Sequence, residues 1–382
     1  MLNPYFWKPS GEILVPANLT KFSVVVYNAI GLMSGSSLDG LDIVFAEFNE
    51  QGGKWSYDIK ITECYPYSPE WKKKLESATT LSAGDYLLLH SAYGHYLGRE
   101  VQRFIQQNGL EFKVALVSSH GHTTFHMPDR GMTAQLGDGA AIAAEIKLPV
   151  ITDLRAMDVA LGGQGAPIVP IGEKLLLGDH DYYLNIGGIA NISFPSDTYI
   201  AYDVCPANRV LNLLAAEAGK EYDDKGSMAA SGKTDQDVLS RLNAQEYYGY
   251  PYPKSLANDF GTEILFPIVR GVANIPDALR TYVEHICEQL RNAVLRLPPA
   301  KKGARMLVTG GGALNDFLVS RLQTRLESLG VEVVVPSAEL ISNKEALIMA
   351  FIGVLRWRQE TNVLSSVTGA SGDSIGGAVW HG

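Results

Sequence analysis

The chain is poor in cysteine: Cys64, Cys205 and Cys287 are the only three among 382 residues, and they stand far apart. A sparse, odd count excludes a disulfide framework, and the spacing of a zinc site is missing. Basic residues are the minority, 32 Lys and Arg against 41 Asp and Glu, for a net charge of −9. That excludes a general basic footprint for nucleic acid and weighs against an anionic lipid surface. It leaves a phosphate ligand open, because backbone N–H groups bind phosphate without side-chain charge. Long hydrophobic runs are also missing. The most apolar stretch, Ala346 to Leu355, is too short to span a bilayer. The opening MLNPYFWKPSGEILVP lacks the basic start and apolar core of a secretory leader, so the expected location is the cytoplasm. Neither GxxxxGK[ST] nor GxGxxG occurs, so P-loop and dinucleotide readings lose support. No strict short repeat is visible, which disfavours a solenoid.

What is present points to a two-domain α/β protein. Hydrophobic residues make up 46% and charged residues 19%, enough for sizeable cores. A chain of 382 residues exceeds one ordinary core. Glycine is in excess, at 38 residues, and clustered: Gly31/Gly35/Gly40, Gly162/Gly163/Gly165, Gly187/Gly188, Gly310/Gly311/Gly312 and 369–377. Each cluster adjoins a β-type run, which marks tight loops where backbone approaches a ligand.

Patterning predicts strands at 24–32 and 41–48 around SGSSLDG, helices at 68–78 and 82–107, then strand 113–118, helix 138–145 and strand 149–152. Ser82 with Asp85 reads as a capping box. A second cycle follows: strands 182–186, 190–194 and 199–204, helices 210–218 and 281–297, strand 305–309, helix 316–329, strand 331–335 and helix 344–358. IGLMSGSSLDGLDIVFAEF and LNIGGIANISF share one grammar of strand, Gly-rich turn and strand. A duplicated glycine hairpin suggests two similar lobes gripping a phosphate chain.

The turn Gly35, Ser36, Ser37, Leu38, Asp39, Gly40, Leu41, Asp42 offers backbone donors, hydroxyls and two carboxylates, of which Asp39 or Asp42 suits Mg²⁺. A plain hairpin turn reads equally well. Gly187-Gly188 and Gly310 to Gly312 are matching candidates on strand ends. Asp158, in DLRAMDVALGGQGAP, is a carboxylate on a rigid loop that suits a general base, or else a surface partner of Arg155. His120, His122 and His126 lack a second cluster for zinc, so a sugar contact or a structural role is preferred. Glu345 closes an S-x-x-E box with Ser342 and reads locally as a cap partner.

Together these segments resemble the anhydro-N-acetylmuramic acid kinase family: GLMSGSSLDGLD (31–42), SSHGHTT (118–124), DLRAMDVALGGQGAPIVP (153–170), NIGGIANIS (185–193), YDDKGSMAASG (222–232), PKS (253–255), GGGALN (310–315), EALIMAFIG (345–353) and SVTGAS (366–371). Nine motifs in order form a specific signal. The resemblance implies two actin/hexokinase-like (ribonuclease H-like) α/β domains around an interdomain ATP and substrate cleft. The expected division is 1–178 plus 361–382 for the first lobe and 179–360 for the second. It implies an enzyme that uses ATP and water to open the ring of 1,6-anhydro-N-acetylmuramic acid and phosphorylate O6 in peptidoglycan recycling. It assigns Asp158 as catalytic residue, Glu345, His120 and Gln164 to the sugar, and the 35–42 turn, Asn185, Gly187, Gly188, Asp203, Gly311 and Gly312 to ATP. Asp39 and Asp203 are candidates for Mg²⁺. Small-molecule partners and a homodimer are expected, without nucleic acid or membrane. Alternatives are a kinase of the same fold acting on an ordinary sugar hydroxyl, or a non-catalytic sugar or nucleotide sensor. Three departures stand out: Asp203-Val204-Cys205-Pro206-Ala207-Asn208 in place of a DTGPGN-like loop, Ala257-Asn258-Asp259 in place of Gly-Arg/Lys-Glu, and Ser36 in place of Thr.

Overall fold

The computed structural model describes residues 24–382 apart from 36, 179, 197, 253, 258, 299, 300 and 302. The lead-in expected over 1–20 and the side chain of Ser36 lie outside the described residues.

The first half builds β1 (Val25–Ser34), β2 (Gly40–Gln51), β3 (Lys54–Pro66), α1 (Pro69–Glu76), α2 (Ala83–Gln107), β4 (Leu116–Ser119), the hairpin β5 (His122–Met127) and β6 (Met132–Leu136), α3 (Gly139–Ile146), β7 (Val150–Thr152), α4 (Ala156–Ala160) and α5 (Pro170–Leu175). The second half builds β8 (Tyr182–Ile186), β9 (Ile189–Phe194), β10 (Ile200–Pro206), α6 (Asn208–Glu217), α7 (Ser227–Ser231), α8 (Gln236–Asn243), α9 (Phe266–Val269), α10 (Ile275–Arg296), β11 (Ala304–Thr309), α11 (Asp316–Glu327), β12 (Val331–Val334), α12 (Ala338–Trp357) and β13 (Ala378–Trp380).

The two main sheets repeat one topology. The first runs β13-β7-β4-β1-β2-β3 and the second β10-β9-β8-β11-β12. In each, three strands meander antiparallel (β1–β3, β8–β10), and two more are added parallel to the first of them (β4 and β7, β11 and β12). This is the duplicated ribonuclease H-like sheet of the actin/hexokinase-like fold, an α/β protein of two lobes. β4 and β7 are buried on both faces, as covered parallel strands are, with Ser118, Ser119 and Thr152 as buried polar residues at their ends. β3 is an edge strand that alternates exposed and half-buried residues and carries Lys54 and Lys60.

Local signals explain most boundaries. Ser82 accepts from the Asp85 amide at 3.2 Å, the N-cap half of the expected capping box, and its hydroxyl rather than its backbone amide donates to the Asp85 carboxylate at 2.7 Å. Two helices begin earlier than the periodicity suggested. α10 starts at Ile275 because Asn274 accepts from the Asp277 amide at 2.9 Å and Pro276 fits the first turn. α12 starts at Ala338, capped by Ser337. Ser342 and Glu345 therefore lie inside a helix, and the capping role read for Glu345 is corrected. β3 was not anticipated, although the alternation of Trp55, Tyr57 and Ile59 after Gly52-Gly53 announces it. Both glycines have positive φ, as a two-residue hairpin turn requires.

α12 is apolar nearly all round and is the shared wall of the molecule. It packs on β1, β2 and β4 of the first sheet. Its hydrophobic cluster also takes in Tyr183 and Leu307 of the second. The expected division counted it with the second lobe; its main contacts are with the first. Close approach to the sheet explains two glycines. A Cβ on Gly31 would lie 2.7 Å from the Ala350 amide nitrogen, and one on Gly353 would lie 2.5 Å from the Ser118 Cβ. Gly31→Ala should destabilise the protein by at least about 1–3 kcal/mol, the usual cost of overpacking. Urea unfolding should show a lower midpoint at unchanged slope.

Candidate active site

Between the lobes lies a cleft of about 680 Å³. Arg155, Gln164, Pro167 and Glu345 form one wall, and Asn185, Asn191, Asp203 and Lys254 the other. Residues from both lobes thus face one cavity, the place where such folds bind ligands.

Asp158 sits one layer behind this wall. It follows β7, on the short helix α4, and is fully buried. Both carboxylate oxygens have donors: the Thr368 hydroxyl at 2.6 Å on Oδ1 and the Gly165 amide at 2.7 Å on Oδ2. Gly163 leaves no side chain above the carboxylate, where a Cβ would collide with Oδ2. Gly162 and Gly165 both hold positive φ, so glycine is needed at the two ends of the covering loop. Gln164 lies on that loop, faces the cleft, and donates its amide to the Thr368 carbonyl at 2.8 Å.

Arg155 links this loop to His120, just past the end of β4. Its guanidinium donates to the Gly165 carbonyl at 2.6 Å and, through Nε, to His120 Nε2 at 2.9 Å. His120 Nδ1 in turn faces the Gly121 carbonyl at 3.0 Å. The Arg155 donor makes Nε2 the acceptor, so Nδ1 carries the proton and the ring is neutral. Burial first, and the Arg155 charge second, push the His120 imidazole down to about 3. Burial also lowers Arg155, to about 10, against the pull of Glu345 and Asp158. His120, assigned by resemblance to the sugar, is buried with both nitrogens used, and its place here is beneath Arg155 rather than on the cleft wall. His122 Nδ1 meets Ser34 Oγ at 3.1 Å, and Tyr67 donates to the same hydroxyl at 2.8 Å. The end of β1, just before the turn, is therefore tied to the start of β5.

In the second lobe the glycine turns converge. The Gly187 and Gly188 carbonyls accept from the amides of Asn208 at 3.1 Å and Ala207 at 2.8 Å. A Cβ on Gly310 would lie 2.7 Å from the Ile186 oxygen, and one on Gly311 3.6 Å from Asn208 Nδ2. Asn185, Gly187, Gly188, Gly311 and Gly312 thus gather at the ends of β8 and β11. Asn208, not singled out in the sequence, joins them by donating to the Ile186 carbonyl at 3.1 Å.

Other expected residues are not brought together. Asp42 points along the β2–β3 pairing to Cys64, whose thiol lowers its pKa while burial, the larger effect, raises it. Asp39, Ser37 and the rest of the described 35–42 turn do not line the cleft. Asp203 does line it, and its Oδ2 accepts from the Leu256 amide at 2.9 Å. Burial raises the Asp203 carboxyl above the usual range. Among the described residues no group of three His, Cys, Asp or Glu could hold a metal alone. The DVCPAN loop adapts to its missing glycines with a bulge between Asp203 and Cys205, and neither Cys205 nor Ala207 is at positive φ.

The family model for anhydro-N-acetylmuramic acid kinase matches residues 27–382. The chain belongs to the anhydro-N-acetylmuramic acid kinase family. It is 31% identical over 376 residues to the enzyme of that name from Synechococcus elongatus, covering 92% of this chain and 98% of the relative. It is 32% identical over 356 residues to the one from Aliivibrio fischeri, covering 90% and 96%. Among solved structures it is similar to the activator of 2-hydroxyisocaproyl-CoA dehydratase from Clostridium difficile with bound ADPNP, at 14% identity and a TM-score of 0.40 over 87% of this chain and 97% of that one. Among the described residues no helix is long and apolar enough to cross a membrane.

Burial of neutral imidazoles sets a pH dependence. Like His120, His285 is pushed down to about 3 by burial. In the unfolded chain both titrate near 6.5. Between about pH 6.5 and 3 the unfolded state binds more protons, so stability falls as pH falls through that window, by up to about 1.4 kcal/mol per pH unit for each group. Urea midpoints should drop from pH 7.5 to pH 5; a flat profile would contradict the buried neutral pair.

Proposed function

We propose that this chain uses ATP and water to open the anhydro ring of 1,6-anhydro-N-acetylmuramic acid and phosphorylate its 6-oxygen. The products are N-acetylmuramic acid 6-phosphate and ADP, in recycling of cell-wall peptidoglycan in the cytoplasm. The observation that carries this reading is the Asp158 carboxylate, clamped by Thr368 and Gly165 behind the Arg155–Gln164 wall.

An anhydro sugar has no free 6-hydroxyl to deprotonate. Water attacks the anomeric carbon, the C1–O6 bond breaks, and O6 takes the γ-phosphoryl group as its bond to the β-phosphate oxygen breaks. Asp158 accepts the proton lost by the water, a contribution of about 10²–10⁴-fold. Its acceptor lone pairs are aimed in advance by the two hydrogen bonds. Lifting the Gly162–Gly165 loop withdraws the Gly165 amide and frees Oδ2 for the water while Thr368 still holds Oδ1, a movement that the glycines at both ends permit and that lobe closure would drive. Glu345 and Gln164 then face the sugar, with Arg155 held by His120 between them. The amides at Gly187, Gly188, Gly311 and Gly312 face the phosphates. Mg²⁺ fits one-carboxylate binding at Asp203, which spends one oxygen on Leu256, and bound there it would neutralise charge on the phosphoryl oxygens.

A coupled ADP-release assay in ¹⁸O-labelled water tests the reading. Turnover with the anhydro sugar should place the label at the anomeric carbon and none in the phosphate. Turnover with N-acetylmuramic acid and none with the anhydro sugar would make it an ordinary hydroxyl kinase.

A further inference from the structure

Lys344 is a lysine in the interior. It is only 4% exposed, yet it lines the cleft one residue before Glu345 on α12. Its ammonium donates to Thr309 Oγ1 at 2.6 Å and to Asn185 Oδ1 at 3.4 Å, and pairs with Glu173 Oε1 at 3.7 Å. Glu173, on α5, is equally buried, and its other oxygen accepts from the Tyr199 hydroxyl at 3.0 Å. Thr309 and Asn185 are cross-strand partners at the ends of β11 and β8. Gly310 follows directly on the first, and Ile186 and Gly187 on the second. One ammonium therefore sits on the two strand ends from which both glycine turns of the second lobe depart.

The helix that carries this ammonium belongs mainly to the other lobe, since α12 packs on β1, β2 and β4. The adjacent Glu345 exerts its charge on Arg155, on the first-lobe wall. Two consecutive residues on one helix thus face different halves of the site. A buried ion pair stabilises a fold little beyond an apolar pair of the same volume. Its advantage is direction, because three acceptors from three elements fix where the ammonium stands.

We propose that Lys344, paired with Glu173, is a positioning residue that sets the second lobe's glycine turns in register with the Glu345–Arg155 wall. The inference rests on the reading of those turns as phosphate turns. Lys344 acts through Asn185 and Thr309, and its loss acts on nucleotide binding and on turnover rather than on sugar binding.

The test compares the wild type with the double variant K344M/E173Q. Met keeps the stem, and Gln still accepts from Tyr199, so no buried carboxylate is left without a counter-charge. K344M alone would leave one, and its misfolding would decide nothing. ADP affinity is measured by calorimetry, and kcat and the sugar KM by the coupled assay. The folded double variant should bind ADP more weakly and lose about ten- to a hundredfold in kcat, the scale of a small misplacement in a reacting pair. The sugar KM should stay within about twofold. Unchanged ADP affinity in the folded variant, or an equal loss for ADP and sugar, overturns the proposal. ADP affinity is read without sugar, so a wild type inactive on the anhydro sugar defeats the proposed reaction and leaves this comparison decisive.

Discussion

Two hydrogen bonds onto one carboxylate organise the first lobe around its chemistry. Asp158 receives the Gly165 amide from its own loop and the Thr368 hydroxyl from 210 residues further along the chain. A buried carboxylate without donors would cost several kcal/mol. These donors therefore both stabilise the group and fix its direction. They also explain why the C-terminal segment returns to the first lobe. β13 joins that sheet beside β7, which leads into the Asp158 loop, and the segment before it delivers Thr368. The same carboxylate demands glycine at 163, because any side chain there would collide with it.

From this clamp the contacts spread outward in order. Gly165 accepts from Arg155, Arg155 leans on a neutral His120, and Glu345 faces Arg155 from α12. Lys344 then carries the connection to the strand ends of the second lobe. α12 is thus more than filler between two sheets. Its apolar faces hold the lobes together, and its two consecutive charged residues look toward the Arg155 wall and toward the strand ends of the second lobe. Gly31 and Gly353 permit this by letting the helix lie directly on the first sheet.

Much of this was legible from residues alone where the cause is local. β8 has the predicted limits, and the Ser82–Asp85 box opens α2 as read. The glycine clusters at 187–188 and 310–312 do mark strand ends and converge, whereas the one at 162–165 follows the helix α4. The illegible parts have long-range causes. Ser342 with Glu345 offers the better local box, yet Ser337 caps a helix that runs through both, with its apolar faces packed on the first sheet. His120 looks like a sugar contact until Arg155 is folded over it. Asp42 looks like a metal ligand until β3 places Cys64 beside it. The pairing of Lys344 with Glu173 joins α5 to α12, and no periodicity announces it. The burial of the Asp158 carboxylate under the Gly162–Gly165 loop is likewise a product of the fold that a pattern of residue types does not encode.

The role proposed for Asp158 is that of the base, beyond a structural anchor. The most direct measurement is turnover of Asp158→Asn on the anhydro sugar, with thermal unfolding run on the same sample. An asparagine can accept from the Gly165 amide through its oxygen while its NH2 donates to the Thr368 hydroxyl, which turns to accept, so a cooperative fold and a loss of about 10²-fold or more in kcat are expected. A folded Asn variant with wild-type kcat would contradict it.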